Sequence, residues 1–98
     1  MARYRVSRKA IHDLDGIWFS IAKENEAAAE RQLDRIYDAF EMFARLPRVG
    51  RARPDIAQRI RSFVVDNYVI FYELATPGVR IVRVWDGRQD PERLKREF

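Results

Sequence analysis

Cysteine is absent from the 98 residues, which excludes disulfide staples, thiolate metal sites and thiol catalysis. Histidine occurs once, at His12, so the commonest proton-transfer side chain is scarce. Glycine and proline number 4 each, and they lie singly or in turns, leaving no low-complexity linker and no repeat. No apolar run approaches the ~18 residues that a membrane-spanning helix needs. The opening MARYRVSRKA carries charge without a following apolar stretch or small-residue cleavage site, so no secretion signal is legible and the expected compartment is the cytoplasm.

What is present suits one soluble globular domain over residues 1–98. Apolar residues make up 47% and charged residues 35% of the chain, a balance outside both the disordered and the membrane classes. The net charge of +4 is unevenly placed. Residues 1–44 hold 7 basic and 8 acidic side chains and residues 64–98 hold 6 of each, whereas residues 45–63 hold 6 arginines against 1 aspartate, a local +5. This segment, RLPRVGRARPDIAQRIRSF, suits nucleic-acid phosphate or an acidic protein partner, and equally a solvated loop.

Residues 3–6 alternate as a short strand, with Ser7 as N-cap of a helix. Ala10, Leu14, Ile17, Trp18 and Ile21 share one face of that helix, while Asp13, Asp15 and Lys23 fall off it. Asn25 ends this helix or caps the next. Ala29, Leu33, Ile36, Tyr37, Phe40, Phe43 and Ala44 form a second stripe that stops at Leu46-Pro47, and the short link predicts an antiparallel helical hairpin. Three strands follow, at about 59–65, 68–74 and 79–85. Asp66-Asn67 turns between the first two, and Thr76-Pro77-Gly78 carries a type II signature before the third. The middle strand, YVIFYEL, is apolar on both faces and is therefore expected at the centre of the sheet. Asp90 and Pro91 begin a short final helix. The fold class is α+β, a helical hairpin packed on one face of a small antiparallel sheet, with the opposite face expected to be open.

Chemistry has few candidates. Cleavage of a phosphate ester without metal needs a general base, a general acid and cations for the oxyanion. Asp86 and Asp90, in the closing stretch IVRVWDGRQD, are the acids beside an arginine, but an isolated Asp titrates near ~3.9. Arg83 and Arg88 should lower it further, which points to salt bridges or caps. Asp86 and Asp90 lack a third metal ligand at recognisable spacing. Tyr68 and Tyr72 alternate on one strand and suit base stacking or, more simply, core. His12 reads as a surface or capping histidine, and Trp18 as core. No cofactor, metal or catalytic residue is expected.

Four segments, YRVSRKAIHDLDGIW, ARLPRVGRARPD, IRSFVVDNYVIFYEL and IVRVWDGRQD, together resemble the ParE branch of the RelE/ParE superfamily of bacterial toxins, in the family's order and over nearly the whole chain. The resemblance implies the toxin of a type II toxin–antitoxin module, neutralised by a ParD-like antitoxin and poisoning DNA gyrase. The alternative is a RelE-type, ribosome-dependent mRNA endoribonuclease on the same fold. RelE-type enzymes carry arginine directly after the aromatic residue of the central strand, where this chain has Val69 after Tyr68. They also use histidine or tyrosine near the chain's end, where this chain has Trp85 and Asp86. Histidine is common at the Asp86 position in the ParE branch too. Arg59, Arg61 and Arg88 match basic positions of the ribonuclease type. The resemblance implies an antitoxin segment that folds on contact, laying apolar side chains along the toxin's helices while its acids meet basic residues, so antitoxin contact is expected at the hairpin margin, Ile17, Trp18, Ile21 and Tyr37, with Arg48, Arg51 and Arg53. Target contact is expected at Arg59, Arg61, Arg88, Leu94 and Phe98, with no membrane partner and no sequence-specific DNA binding by the toxin alone.

Overall fold

The computed structural model describes residues 3–98. Strand β1 (Tyr4–Val6) ends at Ser7, whose hydroxyl accepts from the Ala10 amide at 3.0 Å and donates to the Val82 carbonyl at 2.8 Å. One side chain thus caps α1 (Arg8–Ala22) and ties its start to the far end of the sequence. Asn25 caps α2 (Glu26–Arg45) through the Ala28 amide, with Glu26 in its first turn and Arg45 in its last, both favourable against the helix dipole. The two stripes face inward: Ala10, Leu14 and Ile17 from α1 and Ala29, Ile36, Ala39, Phe40 and Phe43 from α2 are buried.

Strands β2 (Arg51–Ala52), β3 (Arg61–Val65), β4 (Tyr68–Leu74) and β5 (Val79–Asp86) precede the short helix α3 (Pro91–Glu97). The sheet order is β1-β5-β4-β3-β2, with β4 in the middle as its two-faced apolar pattern requires. Four strands are antiparallel neighbours, and β1 joins parallel to β5, pairing Tyr4 with Val79 and Val6 with Ile81. The parallel partner comes only after α1, α2 and the three other strands, a non-local pairing that alternation within RYRV does not reveal.

Three local expectations are corrected. Strand β3 starts at Arg61 and not at 59, because residues 53–60 turn back and the Ile60 carbonyl accepts from the Arg53 amide at 2.8 Å. The arginine segment also contributes the two-residue strand β2, too short to show a period. At the Pro-Gly turn Gly78 takes φ +78°, where a Cβ would collide with the Arg3 carbonyl, but the Thr76–Pro77 peptide is cis and the turn is not type II.

The larger correction concerns the face of the sheet away from the hairpin. It is covered by a second, smaller core of Ile60, Phe71, Trp85 and Leu94, with Ile56, Val69 and Val82 packed against it. Phe71 and Trp85 are too apolar to face water, and the arginine segment and the tail each supply a lid: Ile56 and Ile60 from one, Leu94 from the other. Between β4 and β5 a bulge shifts the register, so that Phe71 faces Arg83 while Tyr72 faces Ile81. The bulged stretch lets Arg83 reach α1. Its guanidinium meets the Asp13 carboxylate at 2.8 and 3.0 Å, and Asp13 also accepts from the Val84 amide at 3.0 Å.

Candidate functional site

The closing turn is built around Asp86, the last residue of β5, opposite Tyr68. The Gly87 amide bonds to the Asn67 carbonyl at 2.8 Å, which fastens this turn to the β3–β4 turn. Asp86 then accepts from Arg88 three times, from its backbone amide (2.9 Å), its Nε (2.9 Å) and a terminal nitrogen (2.8 Å). The guanidinium of Arg88 holds the Asp86 carboxyl below its usual range despite the opposing effect of burial. Asp90 accepts from the Glu92 amide and caps α3. Arg83, expected to flank Asp86, is instead committed to Asp13 and is buried. That pairing raises the affinity of the Arg83 guanidinium for its proton.

His12 lies closer to this turn than sequence distance suggests. A cleft of about 360 Å³ between α1, the end of β5 and α3 is lined by His12, Tyr68, Trp85, Asp86 and Arg93 among others. The Trp85 ring carries Arg83 and Arg93 at 5.5 and 5.7 Å from its centroid, and its buried Nε1–H has no partner among the described residues. Tyr68 and Tyr72 are core and cannot stack on bases; burial raises the pKa of both phenols. Tyr72 stacks on Phe43 at 4.2 Å, accepts from the Gly50 amide at 2.7 Å and donates to the Pro47 carbonyl at 2.9 Å. A Cβ on Gly50 would sit 2.6 Å from the Tyr72 hydroxyl, so glycine is required there for close approach.

The arginines of 45–63 divide by what they already hold. Arg61 donates to the Gly50 carbonyl at 2.6 Å and clamps the loop that Tyr72 anchors. Arg53 pairs with Asp55 at 2.9 Å, bonds Ser62 and lies over the Phe71 ring. Arg48, Arg51 and Arg59 are exposed, and among the described residues their side chains have no hydrogen-bond or ion-pair partner. The apolar margin also divides. Ile17 is only 8% exposed, so it supports the surface without forming it. Trp18 is half-buried and meets the ring of Phe19, 67% exposed, edge-on at 5.3 Å. Ile21 is half-buried beside the main core. Tyr37 is exposed but packs edge-on against Phe40, which in turn meets Tyr4, and this makes a second apolar spot. Phe19 was not among the expected contacts; its only sequence signal is a large aromatic beside Trp18 off the buried stripe. Leu94, expected at the target surface, is 3% exposed and belongs to the second core. Phe98 lies edge-on against Phe71 at 5.4 Å. No helix is long and apolar enough to cross a membrane, and no group of three or more His, Cys, Asp or Glu that could hold a metal occurs among the described residues.

The family pattern described as "ParE toxin of type II toxin-antitoxin system, parDE" matches residues 4–91. The chain belongs to the ParE toxin family. Toxin ParE3 of Caulobacter vibrioides is 33% identical over 91 residues, covering 92% of this chain and 91% of its own. Toxin ParE1 of Mycobacterium tuberculosis is 30% identical over 94 residues, covering 94% and 96%. A solved structure described as the chromosomal ParDE TA system from P. aeruginosa shares the fold, with a TM-score of 0.71 over 86% of this chain and 94% of that one at 18% identity. In this ParE toxin, Val69 and Trp85 are direct cross-strand neighbours, and both pack in the second core.

Proposed function

We propose that this ParE toxin acts by binding: a ParD-like antitoxin neutralises it, and DNA gyrase is its target. The observation that carries this reading is the Val69–Trp85 pair. By the resemblance drawn from the sequence, a RelE-type ribonuclease keeps an arginine and a late proton-transferring side chain at these positions. Here they hold an apolar pair covered by Leu94, beside an Asp86 whose carboxylate is occupied by Arg88 and kept ionised. An ionised, ion-paired carboxylate is a poor general acid at neutral pH. The antitoxin surface is assigned to Trp18, Phe19, Ile21 and Tyr37 together with Arg48 and Arg51. An acidic, apolar segment that folds on contact would match that mixture. Target contact is assigned to Arg59, Arg88 and the exposed side of α3 with Phe98. Arg53, Arg61, Ile17 and Leu94 support these surfaces from within.

A second reading, the mRNA endoribonuclease, is favoured by one arrangement: His12 and Asp86 line the same cleft with Arg93. The triple change His12→Ala, Asp86→Asn, Asp90→Asn separates the two. The binding reading expects growth arrest by this variant to match the parent, and co-expression with the antitoxin to give a stable complex. Proton transfer through these groups would be worth roughly a hundredfold or more in rate. Arrest abolished in a variant that still folds and still binds antitoxin, with mRNA cleavage lost alongside it, would overturn the binding reading.

A further inference from the structure

The excess positive charge singled out in residues 45–63 is not the only one in the fold. Tyr4 and Val6 of β1 and Val79 and Ile81 of β5 pack into the main core. Strand alternation therefore turns Arg5 and Arg80 to the opposite face. The parallel register sets these two arginines side by side, about 4.8 Å apart from strand to strand. Their row has one acid, Glu73, at 3.4 Å from Arg80. Next to them α1 opens with Arg8 and Lys9 and has no acid in its first turn. Cations at a helix N-terminus are disfavoured by the dipole, and like charges in register repel. Neither placement helps the isolated fold.

Arg8, Lys9 and Arg80 line a trough, with Arg5 beside Arg80 at its edge. A cleft of about 300 Å³ lined by Ser7, Arg8, Lys9, Arg80, Val82 and Phe98 among others runs into one of about 480 Å³ lined by Arg8, Lys9, His12 and Arg96 among others, and Glu97 lines both. Its acids are already occupied or outnumbered: Asp13 is held by Arg83, and Glu97 lies 3.4 Å from Arg93. Lys9 donates only to the Glu97 carbonyl. Arg5, Arg8 and Arg96 are exposed without an ion-pair partner among the described residues.

We propose that this trough binds the phosphodiester backbone of a duplex nucleic acid without reading its sequence. Guanidinium groups match phosphate oxygens bidentately and remain charged at any working pH. They come from two neighbouring strands, the start of α1 and the end of α3, and so are spread out as contacts to successive phosphates require. The trough is open and elongated, so it does not enclose a single small anion. Its one large exposed apolar lining residue is Phe98, which already packs edge-on against Phe71; Leu46, Val49 and Val64, the kind of anchors an acidic protein segment needs, lie elsewhere in the fold. The proposal stands apart from the choice between gyrase and mRNA, since either target brings nucleic acid close to the toxin.

The test is anisotropy of a fluorescein-labelled 20-base-pair duplex of arbitrary sequence, titrated with the full chain across a range of NaCl. Four contacts, from Arg5, Arg8, Arg80 and Arg96, predict a log–log salt slope near ~−3.6, and affinity falling roughly 150-fold between 50 and 200 mM salt. Arg8→Gln with Arg96→Gln should halve the slope, so that the same salt step costs only about 12-fold. Arg8→Lys with Arg96→Lys should restore the slope, which separates lost charge from lost folding. Lys23→Gln with Arg31→Gln, exposed on the hairpin and outside every surface assigned above, should leave it unchanged. Absence of binding at 50 mM salt, an unaltered slope in the Arg8/Arg96 Gln pair, or a reduced slope in the Lys23/Arg31 pair would overturn the proposal. So would displacement by a polyglutamate peptide at equal charge, which would mark an acidic protein partner, or by millimolar inorganic phosphate, which would mark a small-anion site.

Discussion

Asp13 offers the sharpest test of how the closing strand is held. Its carboxylate is the only hydrogen-bond partner of the Arg83 guanidinium among the described residues, at 2.8 and 3.0 Å, and it also accepts from the Val84 amide on the part of β5 that extends beyond β1. The side chains are 9% and 13% exposed, Arg83 first. Truncating Asp13 therefore strands a buried cation and an amide together, and breaking a buried pair from one side costs roughly 3–5 kcal/mol. For a domain of this size each kcal/mol moves Tm by about 4–8 °C, so Asp13→Ala should lower Tm by roughly 15 °C or more. Asp13→Asn keeps an acceptor for one donor and should fall between. Replacing both partners by apolar residues, Asp13→Leu with Arg83→Met, removes the stranded charge and should cost less than Asp13→Ala alone. The assay is thermal unfolding followed by circular dichroism. A loss below about 1 kcal/mol in Asp13→Ala, the level of an exposed pair, would refute the claim that this pair anchors β5 to α1.

Tyr72→Phe removes the partner of the buried Gly50 amide and should cost about 1–3 kcal/mol, read as a shift in the urea midpoint; an unchanged midpoint contradicts the clamp. Leu94→Ala should cost about 2–4 kcal/mol by opening the second core, and removal of residues 91–98 should expose Phe71 and Trp85 and increase binding of a hydrophobic dye. Asp86 is held below its unfolded value near ~3.9 by Arg88, and Asp66 is held below it chiefly by Arg35. A depressed carboxyl contributes stability that is complete above the unfolded value and lost as pH falls through the folded one. The melting temperature should therefore be steady at pH 5–7 and decline below about pH 4; a level curve down to pH 3 contradicts this.

What could be read from the sequence was what neighbouring residues decide among themselves. Ser7, Asn25 and Asp90 cap, Leu46-Pro47 stops α2, Asp66-Asn67 turns, and the stripes of α1 and α2 face the core. The hidden features depend on partners distant along the chain. Asp13 looked like a solvated residue off the stripe because its partner Arg83 lies 70 positions away. The open face expected behind the sheet was closed by isolated apolar residues, Ile56, Ile60 and Leu94, within segments whose charge hid them. For the same reason Arg53 and Arg61 appeared free, although one lies over Phe71 and the other holds the Gly50 loop. Of the candidate surfaces, the legible part was composition: arginine beside apolar margins. Which of those arginines remain available was decided by packing.

We propose that this ParE toxin disables gyrase by binding it. The most direct measurement is supercoiling of relaxed plasmid by purified gyrase with increasing amounts of the full chain, with an mRNA-programmed translation reaction run alongside. The account predicts loss of supercoiling with accumulation of cleaved plasmid, relief of both by the antitoxin, and an intact message. Normal supercoiling at saturating toxin, with the message cut and translation blocked, would contradict it.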